Sequence, residues 1–281
     1  MSFRRIAFCL SMLLIGMPFA FAVKDIKGKL VITGSSTIAP LAVEMGKRFE
    51  KLHPGVRVDV QSGGSSRGVT DARQGLADIG MVSRGLHPEE KDLVGTPVAL
   101  DGVAVILHKS NPVARLSKEQ LIQIYTGKIS DWKEVGGSAG KIVVVNKAAG
   151  RSTLELFAHY LALKENDIKA QIVIGENEQG IKTVLGNPLA IAYVSIGTAE
   201  FHATEGEPLR LLPLEGVSAS VANVKNGSYP LSRPLNLVVK AETETDLAKE
   251  FIAFSQSAAI NDLVKEQYFV PLESAKSITR H

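Results

Sequence analysis

The chain has a single cysteine, Cys9, and it lies inside an apolar stretch near the N-terminus. From residue 23 onward there is no thiol, which excludes disulfide staples and thiol chemistry. Aromatic residues make up only 6% of the chain, and no basic stripe is interleaved with them. That composition argues against a nucleic-acid partner. Charge of one sign is also lacking: the net charge is +3, and residues 23–281 carry 30 basic against 29 acidic side chains. No global field selects a polyanion, so any anion recognition has to be local. No apolar run reaches the ~20 residues that a transmembrane helix needs. The motifs G-x-x-x-x-G-K-[ST] and G-x-G-x-x-G are absent, and no Cys/His cluster has metal-ligand spacing. Nucleotide, dinucleotide and zinc chemistry therefore lack support, and no cofactor is expected.

The N-terminus does carry a pattern of its own. Arg4 and Arg5 precede an apolar stretch from Ile6 to Phe19, and Ala20-Phe21-Ala22 follows as an A-x-A site. This predicts a signal peptide over residues 1–22, a mature chain starting at Val23 and export, with an uncleaved anchor as the alternative. A mature chain of 259 residues held without disulfides is long enough to build two medium lobes.

Three segments each end a β-like run in small hydroxyl-bearing residues and open an amphipathic helix: Gly34-Ser35-Ser36-Thr37, Gly63-Gly64-Ser65-Ser66 and Gly150-Arg151-Ser152-Thr153. After the first, Ile38, Leu41, Met45, Phe49 and Leu52 recur at steps of three or four; Val69, Ala72 and Leu76 follow the second, and Leu154, Phe157, Ala158 and Leu161 the third. Such spacing places all three clusters at helix N-termini. There the first-turn N–H groups lack partners and the macrodipole is positive, so small residues make anion cups. Ser and Thr at these positions also serve as ordinary N-caps. Three Gly/Ser runs, each longer than one cap needs, favour at least two of them sharing a ligand.

Strand-like and helix-like segments alternate: Lys29–Thr33, a helix to Leu52, Val56–Gln61, a helix to about Leu76, then Asp78–Val82. This βαβαβ order predicts a mostly parallel sheet with ligands at the carboxyl ends of its strands. Val98–His108 is too long for an ordinary strand and suits a crossing between lobes. A second α/β region follows: a helix from Ser117 to Tyr125 opened by a Ser117/Gln120 capping box, a strand at Lys141–Asn146 and the third cluster. Ile191–Ile196 is the candidate return crossing. A helix near Ser218–Lys225, a strand at Leu235–Lys240 and a helical stretch from Thr245 to Glu266 complete the chain.

Taken together, Gly34-Ser-Ser-Thr-Ile-Ala-Pro-Leu41, Ser62-Gly-Gly-Ser-Ser-Arg-Gly68, Ala77-Asp-Ile-Gly-Met-Val-Ser-Arg84, Asp101-Gly-Val-Ala-Val105, Ile124-Tyr-Thr-Gly-Lys128 through Trp132, and Gly150-Arg-Ser-Thr153 resemble the phosphate-binding proteins of bacterial ABC importers, within the type II periplasmic binding-protein class. The resemblance implies an α/β fold of two lobes, each a mostly parallel sheet flanked by helices and joined by two crossing strands. Lobe 1 would comprise 23–105 and 193–281, and lobe 2 residues 106–192. It further implies a monomer that captures inorganic phosphate, or a similar oxyanion such as sulfate, molybdate or tungstate, and delivers it to an inner-membrane ABC permease.

The ligand set carried over by the resemblance is Ser36, Thr37, Ser65, Ser83, Arg151, Ser152 and Thr153, with Ser35, Gly64, Arg84, Asp101 and Lys147 as secondary candidates. Lys147 falls where relatives have an arginine, so Arg151 is expected to supply the guanidinium from a shifted position. Ser83 falls where many relatives place an aspartate that accepts the proton of hydrogen phosphate, and Asp101 is the substitute acceptor or else a hinge-packing residue. Arg84 is expected to pair with an acid such as Asp101 or Asp78, Arg67 to face solvent, and Asp78 to bond nearby backbone.

Two other classes remain on the residues alone. Gly64-Ser65-Ser66-Arg67-Gly68 fits G-x-S-x-G between a strand and a helix, as in a secreted serine hydrolase or phosphatase, yet His87, His108, His159 and His202 lie in no motif that would supply its base. An adhesion protein that kept the scaffold but lost transport is the third class.

Overall fold

The computed structural model describes residues 26–272; the segment 1–22 read as a signal peptide lies outside them. The first α/β unit runs β1 (Gly28–Gly34), α1 (Ala39–Leu52), β2 (Val56–Ser62), α2 (Ser65–Gln74) and β3 (Ile79–Val82). Strand β1 lies between β2 and β3 and is parallel to both, so all three Gly/Ser-bearing strand ends of this unit point the same way. The next strand, β4 (Leu93–His108), is 16 residues long. A second unit follows: α3 (Lys118–Tyr125), β5 (Val143–Lys147), α4 (Ser152–Leu161), β6 (Ile172–Ile174), α5 (Asn177–Gly186) and β7 (Ala190–Ser195), with β5 parallel to both β6 and β7. The remainder is α6 (Ile196–Thr204), β8 (Leu209–Leu211), α7 (Val221–Lys225), β9 (Ser232–Lys240), α8 (Asp246–Ser255), α9 (Asn261–Glu266) and β10 (Val270–Pro271).

Strand β4 joins the two sheets. Leu93–Gly102 pairs antiparallel with β9, whereas Val103–Leu107 pairs antiparallel with β7. Both faces of its second half are covered, so Val103 to Leu107 are wholly buried and read as an unbroken apolar run. The return crossing expected at Ile191–Ile196 is elsewhere. Strand β7 pairs only with β4 and β5 and stays in the second sheet, as does β8 on the far end of β4. The chain re-enters the first sheet at β9, which is antiparallel to β3 as well as β4. A six-residue buried apolar strand has the same composition whether it sits inside one sheet or bridges two, which is why periodicity misplaced the crossing.

Each sheet has its own core. In the first lobe Phe49 of α1 meets Phe251 of α8 edge-on, with ring centroids 5.2 Å apart, beneath Leu30, Ile32 and Met81. In the second, Phe157 of α4 stacks on Tyr193 of β7 at 4.0 Å, and Tyr125 of α3 packs edge-on against Phe157. These contacts anchor α1 and α4, whose N-termini carry the first and third clusters.

The position of α2 depends on glycine. A Cβ on Gly68 would lie 2.6 Å from the carbonyl oxygen of Met81 and 3.0 Å from that of Thr33, so the helix rests directly on the backbones of β1 and β3. Gly68→Ala is expected to lower stability by about 1–3 kcal/mol and Tm by on the order of 5 °C, because both neighbours are backbone and have little freedom to yield. Thermal unfolding of the variant by circular dichroism checks this; an unchanged Tm would show that α2 is free to slide.

Candidate functional site

The N-termini of α1, α2 and α4 converge where the two lobes meet. Ser35, Ser36, Thr37, Gly64, Ser65, Ser83, Arg151, Ser152 and Thr153 line a narrow space there. Ordinary side-chain capping is found at none of the three helices among the described residues: α1, α2 and α4 have no side-chain cap bond, and Ser35 Oγ accepts from the N–H groups of Thr37 at 3.2 Å and Ile38 at 3.4 Å in the turn that precedes α1. Their hydroxyls turn toward one another instead: Ser65 Oγ donates to Ser152 Oγ at 3.0 Å, and Ser83 Oγ lies 2.6 Å from Ser152 Oγ and 2.9 Å from Ser35 Oγ. The backbone N–H of Ser83 also donates to Ser65 Oγ at 3.2 Å. This set spans both lobes, since Ser35, Ser65 and Ser83 belong to the first sheet's loops and Ser152 to the second's.

Gly64 makes that approach possible. It precedes α2 with φ of 99°, and a Cβ there would lie 2.5 Å from the carbonyl oxygen of Gly150, to which Ser66 N donates across the lobes at 3.2 Å. Any side chain at Gly64 would force the clusters apart.

The buried cation at the centre of the hydroxyls is Arg233, a residue that the sequence patterns did not single out. Its side chain is 0% exposed. Nη1 donates to Thr153 Oγ1 at 3.0 Å and to Ser83 Oγ at 3.5 Å, and Nη2 donates to Thr37 Oγ1 at 3.1 Å. Arg233 thus bonds the first cluster at Thr37, the third at Thr153 and the end of β3 at Ser83. Asp101 holds it there. The two residues are directly opposite in the β4–β9 register, and Asp101 Oδ2 accepts from Arg233 Nη2 at 2.8 Å and from Nε at 3.1 Å. The other oxygen, Oδ1, accepts from Gly197 N at 3.2 Å. Oδ2 is thus engaged with Arg233 and Oδ1 with the backbone of α6, which places Asp101 in the packing of the hinge.

Arg151 lines the cup, and its Nη1 donates to Glu176 Oε1 at 3.0 Å on the second lobe. A second guanidinium, that of Arg233, lies among the hydroxyls. One other expectation needs correction. Arg84 does not bond the cup hydroxyls. It forms a fork with Glu90, at 2.8 Å on both arms, and reaches across the lobes to Glu155 at 2.7 Å, in place of the Asp101 or Asp78 partner expected. Burial works against its charge, yet the two glutamates hold it more firmly protonated than usual. Asp78 accepts from Val31 N at 2.8 Å, and Arg67 pairs with Asp71 on the surface.

Behind Thr37 lies a second buried cation. Lys147 is 2% exposed, and its Nζ donates to Asn177 Oδ1 at 3.0 Å; Asn177 Nδ2 in turn donates to Thr37 Oγ1 at 3.2 Å. Burial, and then the neighbouring charge of Arg233, bring the Lys147 ammonium down from 10.5 to about 7. Asn177 escaped notice in the sequence because it opens α5 without a Ser or Thr cap. Among the described residues, no group of three or more His, Cys, Asp or Glu is placed to hold a metal.

The hydroxyl geometry bears on the G-x-S-x-G pattern too. Ser65 Oγ is bonded by a serine hydroxyl and a backbone amide. The histidines with side-chain partners bond elsewhere: His87 to Glu155, His108 to Ser110 and His202 to Glu178 and Glu207.

Two lobes of mixed sheet, joined by antiparallel strands and closed over hydroxyls, helix N-termini and a buried arginine, define a two-lobed solute-binding protein of the type II periplasmic class. Residues 22–259 match the family described as the PBP superfamily domain. The chain belongs to that superfamily and, within it, to the family of PstS phosphate-binding proteins: it is 31% identical over 261 residues to the phosphate-binding protein PstS of Bacillus subtilis (strain 168), covering 90% of this chain and 83% of that one. A crystal structure from Clostridium perfringens, of a substrate-binding protein assigned to phosphate ABC transport with phosphate bound, aligns with a TM-score of 0.80 and 34% identity over 87% of this chain and 99% of the other. An ABC-type phosphate transport receptor from Vibrio cholerae aligns with a TM-score of 0.68 and 29% identity, over 86% and 99%.

The Lys147 environment generates a stability prediction. The unfolded chain holds this proton up to about 10.5 and the folded one only to about 7, so the unfolded state binds more protons between those values. Stability from this group therefore rises with pH across that window. Lys147→Met is expected to be more stable than the wild type near neutral pH, with the difference shrinking toward pH 10. Urea unfolding of both proteins along a pH series measures it, and a pH-independent difference would count against a depressed lysine.

Proposed function

We propose that this chain captures inorganic phosphate between its lobes and delivers it to an ABC permease, performing no covalent chemistry on it. The observation that carries this reading is the convergence of three helix N-termini and the hydroxyls of Ser35, Thr37, Ser65, Ser83, Ser152 and Thr153 where the lobes meet, three of those hydroxyls, on Thr37, Ser83 and Thr153, being bonded by one fully buried arginine. A dianion leaves water only where many donors replace its hydration shell. Hydroxyls, first-turn amides and a guanidinium fork are such donors, and the fork matches two oxygens of a tetrahedral anion. Ser36, Gly64 and Arg151 complete the lining, and Lys147 lies one residue behind it through Asn177.

The named relatives bind phosphate or serve its transport, which supports the permease as partner and an exported location. Among the described residues no helix is long and apolar enough to cross a membrane.

The residues lining the cup carry no carboxylate. A hydroxyl both donates and accepts, so Ser83 Oγ, which here accepts from Ser35 and Arg233, is the group to accept a hydrogen bond from the P–OH of hydrogen phosphate in exchange for one of these. This gives up the charge repulsion by which a carboxylate would reject sulfate.

Titration calorimetry of the desalted mature protein with phosphate, sulfate, arsenate, molybdate and tungstate is the direct test. Phosphate is expected to bind, with Arg233→Lys weakening it by at least about tenfold, since lysine can still pair with Asp101 but offers no fork. No heat with phosphate overturns the reading, and equal affinity for phosphate and sulfate turns it into a general tetrahedral-oxyanion binder. Hydrolysis of a chromogenic ester that disappears in Ser65→Ala would restore the enzyme alternative.

A further inference from the structure

Lys147 is buried in surroundings short of negative charge. On its own strand, Asn146 accepts from the hydroxyl of Tyr193, which itself accepts from Lys147 N at 3.3 Å. From β7 comes Tyr193, whose phenol burial pushes well up and keeps neutral. From α5 comes Asn177, and just before it Glu176, already bonded by Arg151 and Ser62. From the start of α4 comes Arg151, and from β9 Arg233, whose charge is matched by Asp101. The side-chain acceptor bonded to Lys147 Nζ is the amide oxygen of Asn177, which also accepts from Ser195 N at 3.4 Å. The Ser195 hydroxyl, equally buried, has no hydrogen-bond partner. The charges that face the ammonium are thus two arginines and one glutamate shared with its neighbours.

We propose that oxyanion capture in this protein is coupled to uptake of one proton from bulk buffer at Lys147, the anion supplying through the Thr37–Asn177 relay the negative charge that the buried ammonium otherwise lacks. This rests on the phosphate reading above and adds to it a proton stoichiometry. The geometry is a linear one: the anion's place beside Thr37, then Asn177 Nδ2 on Thr37 Oγ1, then Lys147 Nζ on Asn177 Oδ1. Lys147 is a positioning and charge-balancing residue, one side chain removed from the cup. Its titration near 7, imposed first by burial and then by Arg233, places the protonation equilibrium where a nearby anion shifts it within the working pH range.

The coupling is read by calorimetry of the mature protein with phosphate at about pH 8.5, above the phosphate's own second ionisation, in two buffers of different ionisation enthalpy. Wild type is expected to take up about one proton per phosphate and to lose about tenfold in affinity per pH unit from about pH 8 to about 9.5. Lys147→Arg, permanently charged, is expected to bind without proton uptake and with a flat profile. Lys147→Met is expected to bind more weakly, also with a flat profile. Equal proton uptake in wild type and Lys147→Arg overturns the coupling, and this comparison stands even if Lys147→Met fails to fold. Absence of phosphate heat in wild type refutes the phosphate reading instead. In that case the tightest oxyanion of the panel takes its place in the same comparison, and binding of none of them overturns both.

Discussion

The ion pair between Arg233 and Asp101 is the constraint on which the rest of the site depends. It is fully buried, and it sits where β4 leaves the first sheet for the second, so any displacement of either strand breaks it. Breaking such a pair by losing one partner typically costs about 3–5 kcal/mol, because the other charge is left without compensation. The pair is also wired outward. Asp101 receives the N–H of Gly197 at the start of α6, and Arg233 reaches Thr37 and Ser83 on one lobe and Thr153 on the other. The position of the lobes and the position of the cation are therefore one variable. A hinge-bending closure that brings Thr153 toward Thr37 completes the arginine's set of partners at the same moment.

Around this pair, charge is distributed by location. Beside the cup, carboxylates take part in the contacts across the lobe junction: Arg84 pairs with Glu155, and Ser62 and Ser66 bond Glu176 and Glu155. Inside the cup the contacts across the junction are between neutral hydroxyls, with Arg233 matched by Asp101 and Lys147 one side chain behind. This division suits a chain with nearly balanced charge. On the proposed reading, selectivity for an anion arises from fixed dipoles and buried cations rather than from a basic surface.

Much of the frame was legible in the sequence, since it follows from local rules. The βαβαβ alternation, the C-terminal part of β4 from Val98 to His108 and the helix starts after Gly34, Gly63 and Gly150 were read from periodicity and small-residue clusters, whereas β4 itself begins at Leu93. What escaped was whatever depended on strand pairing. Arg233 precedes Pro234, and a residue before proline next to a Ser and a Leu reads as loop, so the strand was expected to begin only at Leu235. The structure extends β9 back to Ser232 because that is the edge along which it meets β4, which brings Arg233 opposite Asp101. Asn177 was invisible for a related reason: nothing local marks an asparagine whose partners are 140 and 30 residues away.

The sequence by itself determined the class of chemistry. Three Gly/Ser/Thr clusters at helix starts, in a chain without a thiol beyond residue 22, without metal-ligand spacing and with nearly balanced charge, point to oxyanion cups by the unpaired first-turn amides alone. Tertiary structure decided which cation serves them. Arg151 and Arg84, adjacent in sequence to the cups, are drawn to Glu176 and to Glu90 and Glu155, while Arg233, 80 residues from Thr153 and 196 from Thr37, is delivered to the centre. The physical reason is that an arginine goes where its carboxylate partner is buried with it, and the position of Asp101 beside Arg233 exists only once β4 and β9 have paired.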